Sequence, residues 1–403
     1  MASPAAISDR EQRILGIVET ARGKRAKFRD ERITMAHGAG GKATQSLIEG
    51  LLVPLLSDAG PASADRGGEG AASLSGAVGE GTTPPSGALG DKATGPPGTL
   101  AELADAAAID LDGVQMAFTT DSYVVRPLRF PGGSIGELAV NGTVNDLAVS
   151  GAQPLALSLS LVLEEGLGAD DLRGEIEAVA RAARTAGVGI VTGDTKVVER
   201  GHADGIYVCT AGVGRHDTRA QLSPAGVRPG DRILLSGSIG EHGMAIMLAR
   251  GEFELDARVE SDTTCLWPAV DALLDAAGHE CHCLRDATRG GVASVLNELA
   301  RTSAVAMLVR EQAVPVHPAV AGAAEILGID PMYVANEGRL VAFVSPERAG
   351  QALRALRATP GCERASEIGE VRREPPGMVL VETSFGGRRV MDQLVGDPLP
   401  RIC

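Results

Sequence analysis

The chain has 403 residues, 44% of them hydrophobic and 22% charged, with a formal net charge of −14. This length carries two or three domains with buried cores, and this balance excludes a disordered chain. The acidity excludes a general binder of nucleic-acid backbones, and an aromatic content of 2% excludes base-stacking platforms.

In chain order, residues 1–32 are charged and polar and read as an N-terminal extension without a signal-peptide pattern. A folded pattern begins at Ile33 and breaks over 57–98. That stretch of Ala, Gly, Ser and Pro is too poor in apolar side chains to offset its ordering entropy, so a disordered insertion is expected. A strand is predicted over 114–119, followed by Thr120-Asp121-Ser122. The spacing of Leu138, Val140, Val144, Leu147 and Ala148 predicts a helix over 135–150. A strand follows over 155–163, then an amphipathic helix over 170–186 closed by Gly187. A short strand over 189–192 is expected to enter a turn at Gly193-Asp194-Thr195-Lys196, and another strand covers 206–213.

Residues 33–217 therefore read as a first domain and 218–390 as a second. The second begins with a strand over 232–236 and helices over 242–250 and 266–277. A helix opened by Gly290-Gly291, a strand over 340–344 and a helix over 346–358 follow. Residues 391–403 read as a flexible tail ending on Cys403. Strands and helices mix in both halves, which is a two-domain α/β (α+β) chain. No apolar run approaches the ~20 residues of a membrane helix. The 6 cysteines make no disulfide framework in a chain this long, so a reducing cytoplasm is expected.

Several residues could carry chemistry. His37-Gly38-Ala39-Gly40-Gly41-Lys42 precedes a helical pattern. Inward-turned glycine N–H groups at a helix start suit phosphate, although a plain glycine turn reads the same, and the P-loop spacing is absent. Asp121, Asp146 and Asp194 offer the hard oxygen ligands that Mg²⁺ prefers, yet each alone also fits a cap or turn aspartate. Asn145 and Asp146 together interrupt an apolar helix. Lys196 is either a phosphate partner or a solvated loop lysine. Glu337, in Ala335-Asn336-Glu337-Gly338, is either a turn acid or a general base. His242 opens a helix. Cys403 is a terminal thiol that an extended arm could carry between two sites. His279-Glu280-Cys281-His282-Cys283 has the composition of a metal site. Strand alternation, however, puts both thiols on one face as small hydrophobes, and zinc spacing is lacking.

The segments FTTDSYVVRPLRFPGGSIGELAVNGTVNDLAVSGAQP, GVGIVTGDTKVVERG, SGSIGEHGMAIM, LRDATRGGV, ANEGRLV and the terminal PLPRIC resemble the HypE family of hydrogenase maturation proteins. These are carbamoyl dehydratases of the superfamily of aminoimidazole ribonucleotide synthetase, selenophosphate synthetase and thiamine-monophosphate kinase. The resemblance implies a two-domain α/β fold whose N-terminal domains pair into a homodimer with a shared β-barrel. It also implies ATP and Mg²⁺ in a cleft near the domain interface. Cys403 would receive a carbamoyl group from the carbamoyltransferase HypF, and ATP would drive its dehydration to a thiocyanate. The cyano group would pass through a HypC–HypD complex to the iron of [NiFe]-hydrogenase.

The same resemblance implies Mg²⁺ ligation by Asp121, Asp146 and Asp194, and nucleotide contacts from His37, Gly40, Gly41, Asn145, Thr195 and Lys196. Lys196 would stabilise the transferring phosphoryl group, and Glu337 would be the base, working with His242 or Lys196. Ala39 interrupts the usual glycine run, and the extension, the insertion and the His279–Cys283 cluster are additions to the family core. A selenophosphate synthetase would carry a cysteine near the glycine run, and this chain has none there. A thiamine-phosphate kinase has no need of a terminal thiol. A scaffold with a decayed nucleotide site is disfavoured by the intact acids and Lys196. Neither a nucleic acid nor a membrane is an expected partner.

Overall fold

The computed structural model describes residues 28–38, 41–57, 104–251 and 258–394. Gly40, Cys403, the insertion beyond Ser57 and most of the N-terminal extension lie outside the described residues. After the glycine run come α1 (Lys42–Leu47), a π-helical stretch (Ile48–Leu52) and α2 (Val53–Ser57).

β1 (Ala107–Leu111) and β2 (Val114–Tyr123) form a hairpin. Its turn is Asp112-Gly113, with φ of 51° and 90°, the left-handed pair that matches the twist of flanking strands. A short ribbon, β3 (Arg129–Phe130) and β4 (Gly133–Ser134), leads into α3 (Ile135–Val149). β5 (Ala152–Glu164), α4 (Ala169–Ala186), β6 (Gly189–Val198) and β7 (Ile206–His216) complete the first domain. The five-stranded sheet has the order β1-β2-β7-β5-β6. It is an open sheet within the chain.

Two strands run longer than the sequence suggests. β2 continues through Asp121, because its pairing with β7 persists to Tyr123↔Val208. The expected turn at Gly193-Asp194-Thr195-Lys196 is strand. β6 pairs in parallel with β5 from Ala156↔Gly189 to Glu164↔Val198. Gly193 fits there because a Cβ would collide with the Leu159 carbonyl. A glycine that reads as a turn locally is a close strand approach in the sheet.

α3 is the axis of the molecule. Thirteen of its 15 residues are buried, which explains the weak apolar stripe, since a helix buried all round needs none. A Cβ on Gly142 would strike the Tyr123 hydroxyl, so the helix can lie this close to β2 only with glycine there. By contrast α4 is amphipathic, with Asp170 and Asp171 in its first turn, Arg184 in its last and Gly187 at φ 71° as its stop.

The second domain opens with β8 (Arg232–Leu235), α5 (Glu241–Ala249), α6 (Trp267–Ala277), β9 (Cys281–Asp286) and α7 (Gly291–Thr302). It continues with β10 (Ala306–Arg310), α8 (Pro318–Leu327), β11 (Leu340–Val344), α9 (Pro346–Ala358), β12 (Ser366–Arg372), β13 (Met378–Glu382) and β14 (Arg388–Met391). Its seven-stranded sheet has the order β14-β13-β10-β12-β8-β11-β9. α7 supplies Val292, Leu296 and Leu299 to the apolar layer on one face, with Ile233, Val341 and Phe343. α6 and α9 cover the other, with Leu234, Ala342 and Val344. Ala148 and Val149 of α3 enter that second layer, so the first domain's central helix is part of the second domain's core.

The two cysteines of β9 do not share a face. The register with β11 shifts between Phe343↔Cys283 and Val344↔Cys281, and His282 is the extra residue of the bulge. Cys283 joins the α7 layer and Cys281 the α6–α9 layer. Burial pushes both thiols up, Cys283 to about 12. His282 Nδ1 meets Asp231 Oδ1 and Oδ2 at 3.0 Å. Two inert thiols on opposite faces hold no metal together.

Arg219 ties the inter-domain connector to α6, contacting Asp217 Oδ2 and Asp271 Oδ1 at 2.7 Å and Asp275 besides. Its hydrogen bonds hold the Asp217 carboxyl down at about 2. A depressed folded value contributes stability above the unfolded value near 4 that is lost as pH falls toward 2. Partial exposure limits this clamp to about 1 kcal/mol. Arg219→Met should therefore lower the melting temperature by about 2–4 °C at pH 7. Melts of both proteins from pH 7 to pH 2 should show the gap closing below pH 4. A gap that persists at pH 2 removes Asp217 from the explanation.

Candidate active site

Three carboxylates meet where the domains join. Asp105 precedes β1, Asp146 lies in the last turns of α3, and Asp286 ends β9. One oxygen of each lies within 4.8 Å of the others. Asp121, on β2, adds a fourth charge and accepts a hydrogen bond from the Tyr123 hydroxyl at 3.1 Å. The Thr119 hydroxyl reaches Asp146 Oδ2 at 2.9 Å. Arg285 Nε stands 3.0 Å from Asp105 Oδ2, an ion pair half-buried on both sides.

Crowding and dryness set the electrostatics. Burial first, then Asp121, Asp286 and Asp105, push the Asp146 carboxyl well above its usual range. Burial and then Asp105 push Asp286 up to about 8. Asp105 is raised by burial and held back by Arg285. A cluster of this kind takes up positive charge, either as protons or as a cation. Three hard oxygen donors aimed at one point fit a divalent ion such as Mg²⁺.

Glu337 stands over the cluster. It is buried, and burial, then Asp286 and Asp262, push its carboxyl well above the usual range, against the pull of Arg289. Its backbone is held from both domains. The Glu337 N–H donates to Asp262 Oδ1 at 3.1 Å, and its carbonyl accepts from Asn145 Nδ2 at 3.2 Å. A carboxyl so placed, with its proton affinity raised by burial and by neighbouring acids, is a candidate general base.

Of the residues singled out in the sequence, Asp121, Asp146 and Glu337 come together here. Asp194 and Lys196 do not join them within the chain. Asp194 pairs across the sheet in the row Ser122↔Cys209 and Ser160↔Asp194, one residue out of step with Asp121↔Thr210. The Thr210 hydroxyl reaches back to the Ala139 carbonyl of α3, so Asp194 stands on the face away from α3 and from the cluster. There Lys196 Nζ meets Asp194 Oδ2 at 2.8 Å, with the two side chains 70% and 62% exposed. Thr195 follows on the same exposed edge strand.

Asn145 is a clip between domains. Its Nδ2 donates to the Thr264 and Glu337 carbonyls at 2.9 and 3.2 Å, and its Oδ1 accepts from the Leu266 N–H at 2.7 Å. His37 is likewise engaged locally, with Nε2 3.0 Å from Asp30 Oδ2 and Nδ1 3.0 Å from Thr34 Oγ1. Gly41 is the N-cap of α1, and the Gly38 carbonyl accepts from Arg289 Nη1 at 2.9 Å. His242 is buried, with Nδ1 2.8 Å from Ser261 Oγ and its ring edge-on to Phe130 at 5.5 Å.

The site residues missed in the sequence are Asp105, Asp286 and Arg285. Arg285 and Asp286 lie in the segment LRDATRGGV, which carried a family resemblance but no role for either residue. Asp105 follows the Gly- and Ala-rich stretch and carries no local signal.

The fold and this acid junction define a class. The AIR synthase related protein N-terminal domain matches residues 103–216, and the corresponding C-terminal domain matches residues 228–381. Carbamoyl dehydratase HypE of Rhodobacter capsulatus is 44% identical over 376 residues, 93% of this chain and 99% of that protein. The Escherichia coli K12 protein of the same name is 40% identical over 371 residues, 92% and 99% respectively. A solved HypE–HypF complex superposes with a TM-score of 0.70 at 42% identity, covering 73% of this chain and 95% of that one. A HypE structure in complex with ATP gives 0.69 at 46%, covering 75% and 90%. Thiamine monophosphate kinase of Aquifex aeolicus shares the fold alone, at 20% identity and a TM-score of 0.53.

The chain belongs to the HypE family of carbamoyl dehydratases, hydrogenase maturation enzymes built on the AIR synthase fold. No helix among the described residues is long and apolar enough to cross a membrane.

The charge balance of the junction is measurable without turnover. Asp286 keeps its proton in the fold to about pH 8 but in the unfolded chain only to about pH 4. Metal-free protein should therefore lose stability as pH rises from 4 to 8. Asp286→Asn should flatten that slope and raise the metal-free melting temperature at pH 8 by about 2–4 °C. Mg²⁺ should stabilise the parent protein and leave the variant unmoved. Equal Mg²⁺ stabilisation of both, read by thermal melts, dismisses the cluster as a cation site.

Proposed function

We propose that this protein dehydrates a carboxamide carried on its own terminal thiol, Cys403, using ATP to activate the amide oxygen. The observation that carries the reading is the buried acid cluster with Glu337 beside it at the domain junction. A relative at 46% identity solved in complex with ATP supports a bound nucleotide.

An amide oxygen is a poor leaving group, and phosphorylation makes it a good one. The thiocarbamate oxygen attacks the γ-phosphorus of ATP, the new O–P bond forms and the bond to ADP breaks. Glu337 takes a proton from the amide nitrogen. Phosphate then departs with the former amide oxygen and takes up the second N–H proton as hydrogen phosphate, leaving S–C≡N. The sum is thiocarbamate and ATP to thiocyanate, ADP and phosphate. Asp105, Asp146 and Asp286, with Asp121 behind them, are the residues that would hold Mg²⁺, which when bound neutralises phosphate charge. Glu337 is fixed by backbone bonds from both domains, so its carboxyl needs no rearrangement to act.

Cys403 lies 9 residues beyond Leu394, the last described residue, and 9 extended residues span about 30 Å. The carbamoyl donor is HypF, a reading supported by the relative solved as a HypE–HypF complex. A HypC–HypD complex would then receive the cyano group for the iron of [NiFe]-hydrogenase. The protein acts as a homodimer. Its support is the sheet face away from α3, where Phe118, Val213 and Ala156 align across three strands, with Phe118 and Val213 exposed. A second copy of that face covers these side chains, closes the two sheets into a barrel and brings the Asp194–Lys196 pair to the subunit boundary.

Intact-mass analysis after incubation with HypF, carbamoyl phosphate and ATP–Mg²⁺ tests the chemistry. The parent protein should gain one carbamoyl group and then lose one water. Cys403→Ala should gain nothing yet bind ATP normally. Glu337→Gln should load fully but lose water about 10²- to 10⁴-fold more slowly, the range expected on removing a general base. Loading of Cys403→Ala would overturn the thiol assignment. Sedimentation should give a dimer, and Phe118→Asp should shift it toward monomer; a monomeric parent refutes the barrel.

A further inference from the structure

The described chain ends on a strand exit that is held residue by residue. After β14, the Met391 carbonyl accepts from Asn297 Nδ2 at 3.1 Å, and the Asp392 carbonyl accepts from the Tyr333 hydroxyl at 2.9 Å. Gln393 is buried. Its Oε1 accepts from Arg301 Nη2 at 2.7 Å, and its Nε2 donates to Glu298 Oε1 at 3.2 Å. The Leu394 carbonyl accepts from the backbone N–H of Lys42 at 3.0 Å. Lys42 Nζ also meets Asp392 Oδ2 at 3.0 Å. The flexible tail expected from 391 onward is therefore anchored through Leu394.

Two polar chains start from this anchor. Glu298 Oε2 lies 3.4 Å from Arg285 Nη2, and Arg285 Nε lies 3.0 Å from Asp105. Gln393, Glu298, Arg285 and Asp105 thus run without a break from the chain exit to the acid cluster. Arg301 Nη1 donates to Gln45 Oε1 at 3.1 Å, and Gln45 lies on α1, directly after the glycine run. A buried glutamine is costly unless both amide atoms are paired, and here both are, to Arg301, which reaches α1, and to Glu298, which reaches Arg285 beside the acid cluster.

We propose that Gln393, with Glu298 and Arg301, is a positioning residue for the dehydration. It fixes the root of the C-terminal arm in register with the acid cluster, so that the cargo on Cys403 meets the activated phosphate. This inference rests on the reading of Cys403 as the carrier.

Position can be separated from length. Freeing residues 391–394 changes the span to Cys403 from 9 residues to 13. In the limit of a featureless coil, effective concentration falls as about the −3/2 power of length, so this dilution is about twofold. A directed root contributes more than that.

The test loads three full-length proteins with a carbamoyl group on Cys403: the parent, Gln393→Leu, and the parent with four Gly/Ser residues inserted after Leu394. ATP and Mg²⁺ are then added and loss of water is followed through a single turnover by intact mass. The insertion should slow the step about twofold. Gln393→Leu should slow it about tenfold, with loading and the KM for ATP unchanged, and hydrogen exchange at 391–394 should quicken. A slowing no greater than that of the insertion, or an unchanged exchange rate, overturns the proposal while the dehydratase reading stands. If the loaded parent itself loses no water, the dehydratase reading fails and takes the proposal with it. Should Gln393→Leu not fold, Arg301→Met removes the partner of the same amide oxygen at a half-buried position and carries the same comparison.

Discussion

The structure depends on like charges gathered where they least favour being together. Asp105, Asp146 and Asp286 converge within 4.8 Å in a dry junction, with Asp121 behind them and one arginine, Arg285, against them. Two ionised carboxylates at ~5 Å repel by about 3 kcal/mol even at an effective dielectric near 20. The fold holds them there because Asp121, Asp146 and Asp286 sit on different elements, β2, α3 and β9, and Asp105 just before β1. The strand pairing of β2, the burial of α3 and the pairing of β9 with β11 are set by apolar packing that does not involve the acids. Packing supplies the force, and the carboxylates are carried along. Part of that repulsion is relieved by Arg285 and by the raised proton affinity of Asp286 and Asp146.

Precision at the junction comes from the segment 258–266. It is bonded both to Asn145 of α3 and to the loop that bears Glu337. Asp262 accepts from the N–H groups of Glu337 and Gly338, and Asn145 grips the segment at Thr264 and Leu266. Gly338 has room for no side chain against the Asp262 carbonyl. Through these bonds Asn145 holds the second domain's Glu337 beside Asp146 and Asp121 of the first. A site on two domains keeps a sub-ångström geometry only when the seam between them is itself hydrogen-bonded.

What the sequence disclosed follows from which interactions are local. The helix over 346–358 and the strand over 340–344 are written in apolar spacing and match the structure at both ends. Asp146 was legible because a charged residue inside an apolar helix needs a reason. Asp105 and Asp286 were not, since neither breaks a pattern and their meeting is a product of tertiary packing. Lys196 and Asp194 have the same local text whether they bind phosphate or stand on a sheet edge, and only the alternation of β6, fixed by pairing with β5, decides their face. One bulge at His282 was enough to send Cys281 and Cys283 to opposite layers, because side-chain direction in a strand changes with every inserted residue.

The charge balance of the junction also reaches beyond it. Arg285 is shared by Asp105 on one side and Glu298 on the other, and Glu298 in turn holds the amide of Gln393. A cation delivered to the acids competes with Arg285 for Asp105, and whatever Asp105 releases Glu298 can take up. The arginine is largely buried, with Asp105 on one side and Glu298 on the other.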